Sequence, residues 1–147
     1  MDFMIDQKFK ETLKRAGYKL TAERAEIFRL ISKSHTPLSP VELSKLTEGR
    51  MAESTVYRNI DILEEIGTIS RVYTGWKFRL ELSDLFRGHH HHMLCQNCGG
   101  IINFEETPAF LRELEKISKD NGFSLSSHVL ELAGLCKNCR SITSAYA

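Results

Sequence analysis

No apolar stretch in this sequence approaches the roughly 20 residues that a membrane-spanning helix needs, so no membrane partner is expected. The first residues, Met1-Asp2-Phe3-Met4-Ile5-Asp6, lack the basic start and small-residue cleavage site of a secretory signal. The expected compartment is therefore the cytoplasm, where thiols stay reduced. Excess charge is also missing. The net formal charge of the 147 residues is +1, so the chain as a whole does not advertise a nucleic-acid partner. The asymmetry between its halves is small, +3 over residues 1–80 and −2 over 81–147. There is no internal repeat, and no low-complexity tract beyond one run of histidines. What is present is ordinary globular material, 41% hydrophobic and 27% charged, enough for one medium domain or two small ones.

The first half reads as helices followed by a hairpin. A helix over residues 6–16 stops at Gly17, which suits a C-terminal cap. Thr21 can N-cap a second helix whose apolar face holds Ala25, Phe28, Leu30 and Ile31. Ser39-Pro40-Val41-Glu42 combines a capping residue, a proline at the first helical position and a glutamate that can complete a capping box. A fourth helix, residues 54–65, buries Val56, Ile60 and Leu63 and stops at Gly67. Two strands, 69–73 and 76–82, flank Thr74-Gly75; Phe78, Leu80 and Leu82 face one way, Lys77, Arg79 and Glu81 the other. Helices followed by a β-hairpin form the pattern of a winged helix-turn-helix, although a small α/β domain without a nucleic-acid role has the same pattern. The second half holds the histidine run, a short strand at Ile101-Ile102, a helix over 108–121 and strands within 123–135. The fold class expected is α+β: a winged helix-turn-helix domain over 1–83, then a small α/β dimerisation domain over 84–147.

All four cysteines sit in two Cys-x-x-Cys knuckles, Cys95/Cys98 and Cys136/Cys139. Two intervening residues let both sulfurs of a knuckle turn toward one metal, and two knuckles together supply the tetrahedral sulfur set of a structural Zn²⁺. A closed four-sulfur site leaves no open position for catalysis. Disulfides and a thioredoxin-like pair fit poorly, because the thiols are reduced and neither knuckle opens a helix after a strand.

Residues 89–92 are four consecutive histidines. If the segment is extended, neighbouring side chains point to opposite faces, so His89 and His91 serve one side and His90 and His92 the other. One strand can then feed two metal sites. Further ligands are open: Glu81 can ligate or simply pair with Lys77 or Arg79, His128 can ligate or sit hydrogen-bonded in a core, and His35 can ligate or lie exposed.

Together these features resemble the ferric uptake regulator family, over about residues 14–139. Gly17-Tyr18-Lys19-Leu20-Thr21-Ala22-Glu23-Arg24 is similar to the approach to that family's second helix, and Ser54-Thr55-Val56-Tyr57-Arg58-Asn59 resembles its recognition helix. His89 to His92 followed by Met93-Leu94-Cys95-Gln96-Asn97-Cys98-Gly99 is the most specific likeness. The resemblance implies a homodimer that binds double-stranded operator DNA as a metal-dependent repressor, not an enzyme. It implies that Thr55, Tyr57 and Arg58 meet the major groove, Lys19 an adjacent minor groove and Arg24 a phosphate. It places Glu81, His90 and His92 in a regulatory site at the hinge, with His35 completing it, and His89, His91 and His128 in a second site. Three departures stand out. His35 is offset by Pro37-Leu38, the acidic residue usual at 103 is Asn103, and the glutamate that often completes the second site falls near Phe110 or Leu111. Glu106 and Glu113 are the neighbouring carboxylates, and the sequence does not choose between them.

With the sulfurs committed, regulatory metal meets nitrogen and oxygen, which suit Fe²⁺, Zn²⁺ or Mn²⁺. Zinc-sensing relatives often carry cysteine where Glu81 stands, which puts iron first, zinc second and peroxide sensing third. Outside the family, a metal-dependent hydrolase would need an open ligand position and a general base, neither of which is apparent. A zinc-stabilised interaction module would leave the helix-hairpin half without a role.

Overall fold

The computed structural model of the chain describes residues 3–47, 49–74 and 76–144. They divide into two compact units, Met1–Gly88 and His89–Ala147. The first unit carries α1 (Phe3–Arg15), α2 (Ala22–Lys33), α3 (Pro40–Leu46), α4 (Glu53–Glu65), an antiparallel hairpin of β1 (Ile69–Thr74) and β2 (Lys77–Leu82), and the short α5 (Asp84–Arg87). It extends past the boundary expected at residue 83. The reason is Phe86 of α5, which is buried edge-on against Phe28, ring centroids 5.7 Å apart.

The local signals operate as the residue types dictate. Thr21 accepts a hydrogen bond from the Arg24 backbone N–H. Ser39 and Glu42 form the reciprocal capping box: Glu42 Oε2 accepts from the Ser39 N–H at 2.7 Å, and Ser39 Oγ from the Glu42 N–H at 3.2 Å. The same carboxylate takes Arg79 Nη1 of β2 at 2.9 Å, tying the hairpin to α3. Its pKa is held below the usual carboxylate value, first by the Ser39 backbone donor. Leu38 exchanges two backbone hydrogen bonds with Leu80 and so adds a bridge to the outer edge of β2. The core gathers Leu13, Ile27, Phe28, Ile31, Leu43, Val56, Ile60, Leu63 and Leu80 from all four long helices and the hairpin. Each such side chain contributes about 1.5–3 kcal/mol when removed from water.

The second unit is built on a three-stranded sheet in the order β4-β3-β5, with β3 (His91–Cys95), β4 (Ile101–Phe104) and β5 (Glu131–Gly134). β3 pairs antiparallel with β4 and parallel with β5. Between β4 and β5 runs α6 (Pro108–Asp120), and α7 (Lys137–Ser144) follows β5. The strands expected within 123–135 reduce to β5 alone. A strand needs a free edge to pair with, and β4 and β5 already occupy both edges of β3. α7 was not anticipated, because the second knuckle masks the start of a helix.

Candidate metal centres

The parallel pairing of β3 with β5 positions the sulfurs. Cys95 ends β3 opposite Gly134 of β5, and Cys136 follows β5 by two residues, so both knuckles emerge at one end of the sheet. The first knuckle closes through the Gly99 N–H on the Cys95 carbonyl at 2.9 Å, with Gly99 at φ 68°, where a side chain would be strained. At Gly100 a Cβ would stand only 3.2 Å from Cys98 Sγ. The four sulfurs lie within 4.8 Å of one another, and Cys98 and Cys136 are 3.9 Å apart. Tetrahedral Zn–S bonds of about 2.3 Å require sulfurs about 3.8 Å apart. Electrostatics agree. Backbone donors of Cys136 and Cys98 pull the Cys95 thiol down to about 6. Cys139 is drawn down by Asn97 but pushed up to about 11 by hydrogen bonding to Cys136, burial and the remaining thiols. Four thiolates crowded together need a cation before all can ionise.

A second cluster forms at the opposite end of β3. The histidine side chains alternate: His89 and His91 stack edge-on at 4.6 Å, and His90 and His92 do the same at 5.0 Å. His89 and His91 meet His128 and Glu106. The Nε2 of His128 is 3.3 Å from that of His89 and 3.2 Å from that of His91. Glu106 Oε2 is 2.6 Å from His91 Nε2, and Oε1 is 3.9 Å from the Nε2 atoms of His89 and His128. Ligands at about 2.1 Å from a tetrahedral metal stand about 3.4 Å apart. Three imidazole Nε2 atoms converging this closely cannot satisfy one another, since a neutral ring has one acceptor nitrogen and one N–H. Glu106 Oε2 is buried and takes no well-aligned hydrogen bond among the described residues. His91 is only 2% exposed, and burial holds its pKa below the usual histidine value against the opposing pull of Glu106. It therefore stays neutral, as a ligand must be. The donor set fits a divalent metal.

The remaining expected ligands are more dispersed in the first unit. Glu81 is buried near the end of β2, although it lies on the strand's polar face. His35 is exposed in the turn between α2 and α3, outside every cluster of metal-competent groups among the described residues. In the second unit Asn103 stands opposite His92, and its Oδ1 is buried without a hydrogen bond among the described residues.

The first unit also presents α4. Arg58 is exposed, Tyr57 is 39% exposed and Thr55 is half-buried, on the side opposite Val56, Ile60 and Leu63. Arg24 is buried. It donates from Nε to Asn59 Oδ1 at 3.1 Å and from Nη1 to the Lys19 carbonyl, while Lys19 itself is exposed. Arg71 of β1 pairs with Glu64 at 2.7 Å and lies over the Phe78 ring at 4.3 Å, fixing the hairpin to α4.

The model of the ferric uptake regulator family matches residues 15–133. The chain belongs to that family. The ferric uptake regulation protein of Campylobacter jejuni is 36% identical over 143 residues, covering 90% of this chain and 87% of that protein. Among solved structures, the Helicobacter pylori ferric uptake regulator, described as having three functional metal binding sites, superposes with a TM-score of 0.83. That match has 28% identity and covers 93% of this chain and 92% of the other. A zinc uptake regulator complexed with zinc and DNA matches at TM-score 0.60 and 26% identity, covering 96% and 95%. Against the family pattern, the glutamate that sequence reasoning left open is Glu106, not Glu113. Its signal was faint. It stands four residues before the usual position, and only the turn after β4 carries it to the histidines.

Proposed function

We propose that this chain is a cytoplasmic, metal-responsive transcriptional repressor that binds operator DNA as a homodimer and senses Fe²⁺. The observation that carries the reading is the segregation of donors: four sulfurs gather at one end of β3, and nitrogen and oxygen donors at the other. Zinc in the sulfur set is structural. The nitrogen and oxygen sets then take the sensed metal, for which Fe²⁺ suits better than a sulfur-seeking ion. His90 and His92, with Glu81 and His35 from the first unit, form the regulatory set. His89, His91 and His128 hold the second. No helix among the described residues is long and apolar enough to cross a membrane.

In this reading Arg58, Tyr57 and Thr55 meet base edges in the major groove, and Lys19 reaches the neighbouring groove. Arg24 enters through what it holds, because its bonds to Asn59 and Lys19 fix the minor-groove contact relative to α4. A dimer must present two recognition helices at the spacing of the DNA half-sites. Metal shared by Glu81, His90 and His92 restricts that spacing. Converting a mostly incompetent population into a mostly competent one takes roughly 5.5 kcal/mol of differential binding, within the range of a multidentate metal site.

The test is operator affinity, on DNA selected from a random pool, with protein that keeps its sulfur-bound zinc. Anaerobic Fe²⁺ is expected to tighten binding at lower free concentration than Mn²⁺, and chelation to reverse it. Tight binding unaffected by any metal overturns the sensor reading; activation by Zn²⁺ alone overturns iron. In the same assay Arg58→Ala is expected to weaken binding by about 1–3 kcal/mol with metal content unchanged. Equal affinity at fixed salt removes Arg58 from the interface.

A further inference from the structure

α6 has an unusual attachment. None of its thirteen residues is buried, and Phe110 and Ile117 are exposed along it. Its caps are local: Thr107 Oγ1 accepts from the Phe110 N–H, and the Phe123 N–H returns to the Ser118 carbonyl. The stretch from 123 to 130 makes no sheet pairing. Side-chain burial therefore does not hold the helix to the sheet.

Both ends of the excursion do return to one point. Glu106 immediately precedes the N-cap of α6, and His128 lies in the strand-free segment after it. Their side chains converge on His89 and His91, with His128 Nε2 3.2 Å from His91 Nε2 and Glu106 Oε2 2.6 Å from the same atom. Without a cation these groups repel or go unsatisfied: paired imidazole acceptors face each other, and a buried carboxylate oxygen takes no hydrogen bond. The sulfur cluster clips only the far end of the sheet, at Cys95 and Cys136.

We propose that Glu106 is the fourth ligand of the second site and that metal there acts as a clasp, closing the α6 excursion and setting whether the helix has a fixed place. The clasp rests on the second-site reading above. A metal ligated by Glu106 and His128 closes the loop between them, as a cross-link does, and removes chain freedom that α6 would otherwise retain. A glutamate within α6 would pin the helix at its own position. Glu106 instead pins the strand-to-helix turn, so α6 follows the metal through its N-cap.

The test uses full-length His90→Ala protein with the sulfur-bound zinc in place, so that added Zn²⁺ reports the second site. Zinc per chain and amide hydrogen exchange over residues 107–127 are measured together. Added Zn²⁺ is expected to bring a second equivalent and to slow exchange across α6 by about tenfold or more. Glu106→Gln and Glu106→Ala are expected to weaken that equivalent by at least the 10–100-fold that even outer-shell losses cause, and to leave α6 exchanging at the zinc-free rate. Glu113→Gln should match the parent. A Glu106→Ala protein that binds the second zinc as tightly as the parent overturns the clasp, and so does bound zinc that leaves α6 exchange unchanged. If His128→Ala loses the metal while Glu106→Ala does not, the second site stands and only the clasp falls. A parent that takes no second zinc overturns the second site and the clasp with it.

Discussion

Cys95→Ser or Cys139→Ser is expected to release one zinc per chain and to leave the protein unfolded or monomeric. Cys95 ends β3 and Cys139 lies in α7, both buried, so the metal spans the sheet and the helix that follows it. Structural zinc sites carry apparent binding free energies of about 10–16 kcal/mol, comparable with the ~5–15 kcal/mol that separates folded from unfolded domains. The second unit has little else to rely on. Its sheet has three strands of four or five residues, and α6 buries nothing. Removing one thiolate opens the site and leaves three others crowded around a weaker ion. Elemental analysis of zinc, far-ultraviolet circular dichroism and sedimentation equilibrium on the purified variants check this directly. A folded dimer that retains a full equivalent of zinc would refute the structural role.

The next largest effect separates the two faces of the histidine run. His90→Ala and Glu81→Ala are expected to abolish metal-activated operator binding while the zinc-filled dimer stays folded. His89→Ala is expected to lower thermal stability and keep part of the DNA response. The partition follows from alternation. His90 stacks with His92, whereas His89 stacks with His91 and meets His128. Glu81 belongs to the first unit and the histidines to the second, so in the proposed regulatory site only this face links the DNA-binding unit to the rest. Operator affinity against free metal, with a thermal melt of each variant, decides it. Equal losses in all three, or a larger loss in His89→Ala, would show that the faces are reversed.

Much of the first unit was legible because its signals are local. The capping box at Ser39, the apolar stripe of Val56, Ile60 and Leu63, and the alternation of Phe78, Leu80 and Leu82 each depend on residues a few positions apart. The sulfur set was legible for the same reason, since each knuckle is a short spacing and no cysteine is left over. Alternation along the histidines also needed only the two-residue period of extended backbone. The less legible features depend on contacts between distant segments. Arg24 looks on paper like a free cation for a phosphate, yet its Nε binds Asn59, 35 residues away. Glu81 looks like the partner of a nearby lysine or arginine on a polar strand face, yet it is buried. Phe86 carried no pattern that would assign it to the first core, because a single turn of helix has no periodicity to read.

By itself, then, the sequence determined the α+β order of elements, the four-sulfur set and the division of the histidines into two faces. Short-range spacing and backbone geometry suffice for each of these. Only the tertiary structure decided that Glu106, and not Glu113, joins His89, His91 and His128. That choice depends on where the turn between β4 and α6 returns relative to β3, a distance in space that spacing along the chain does not encode.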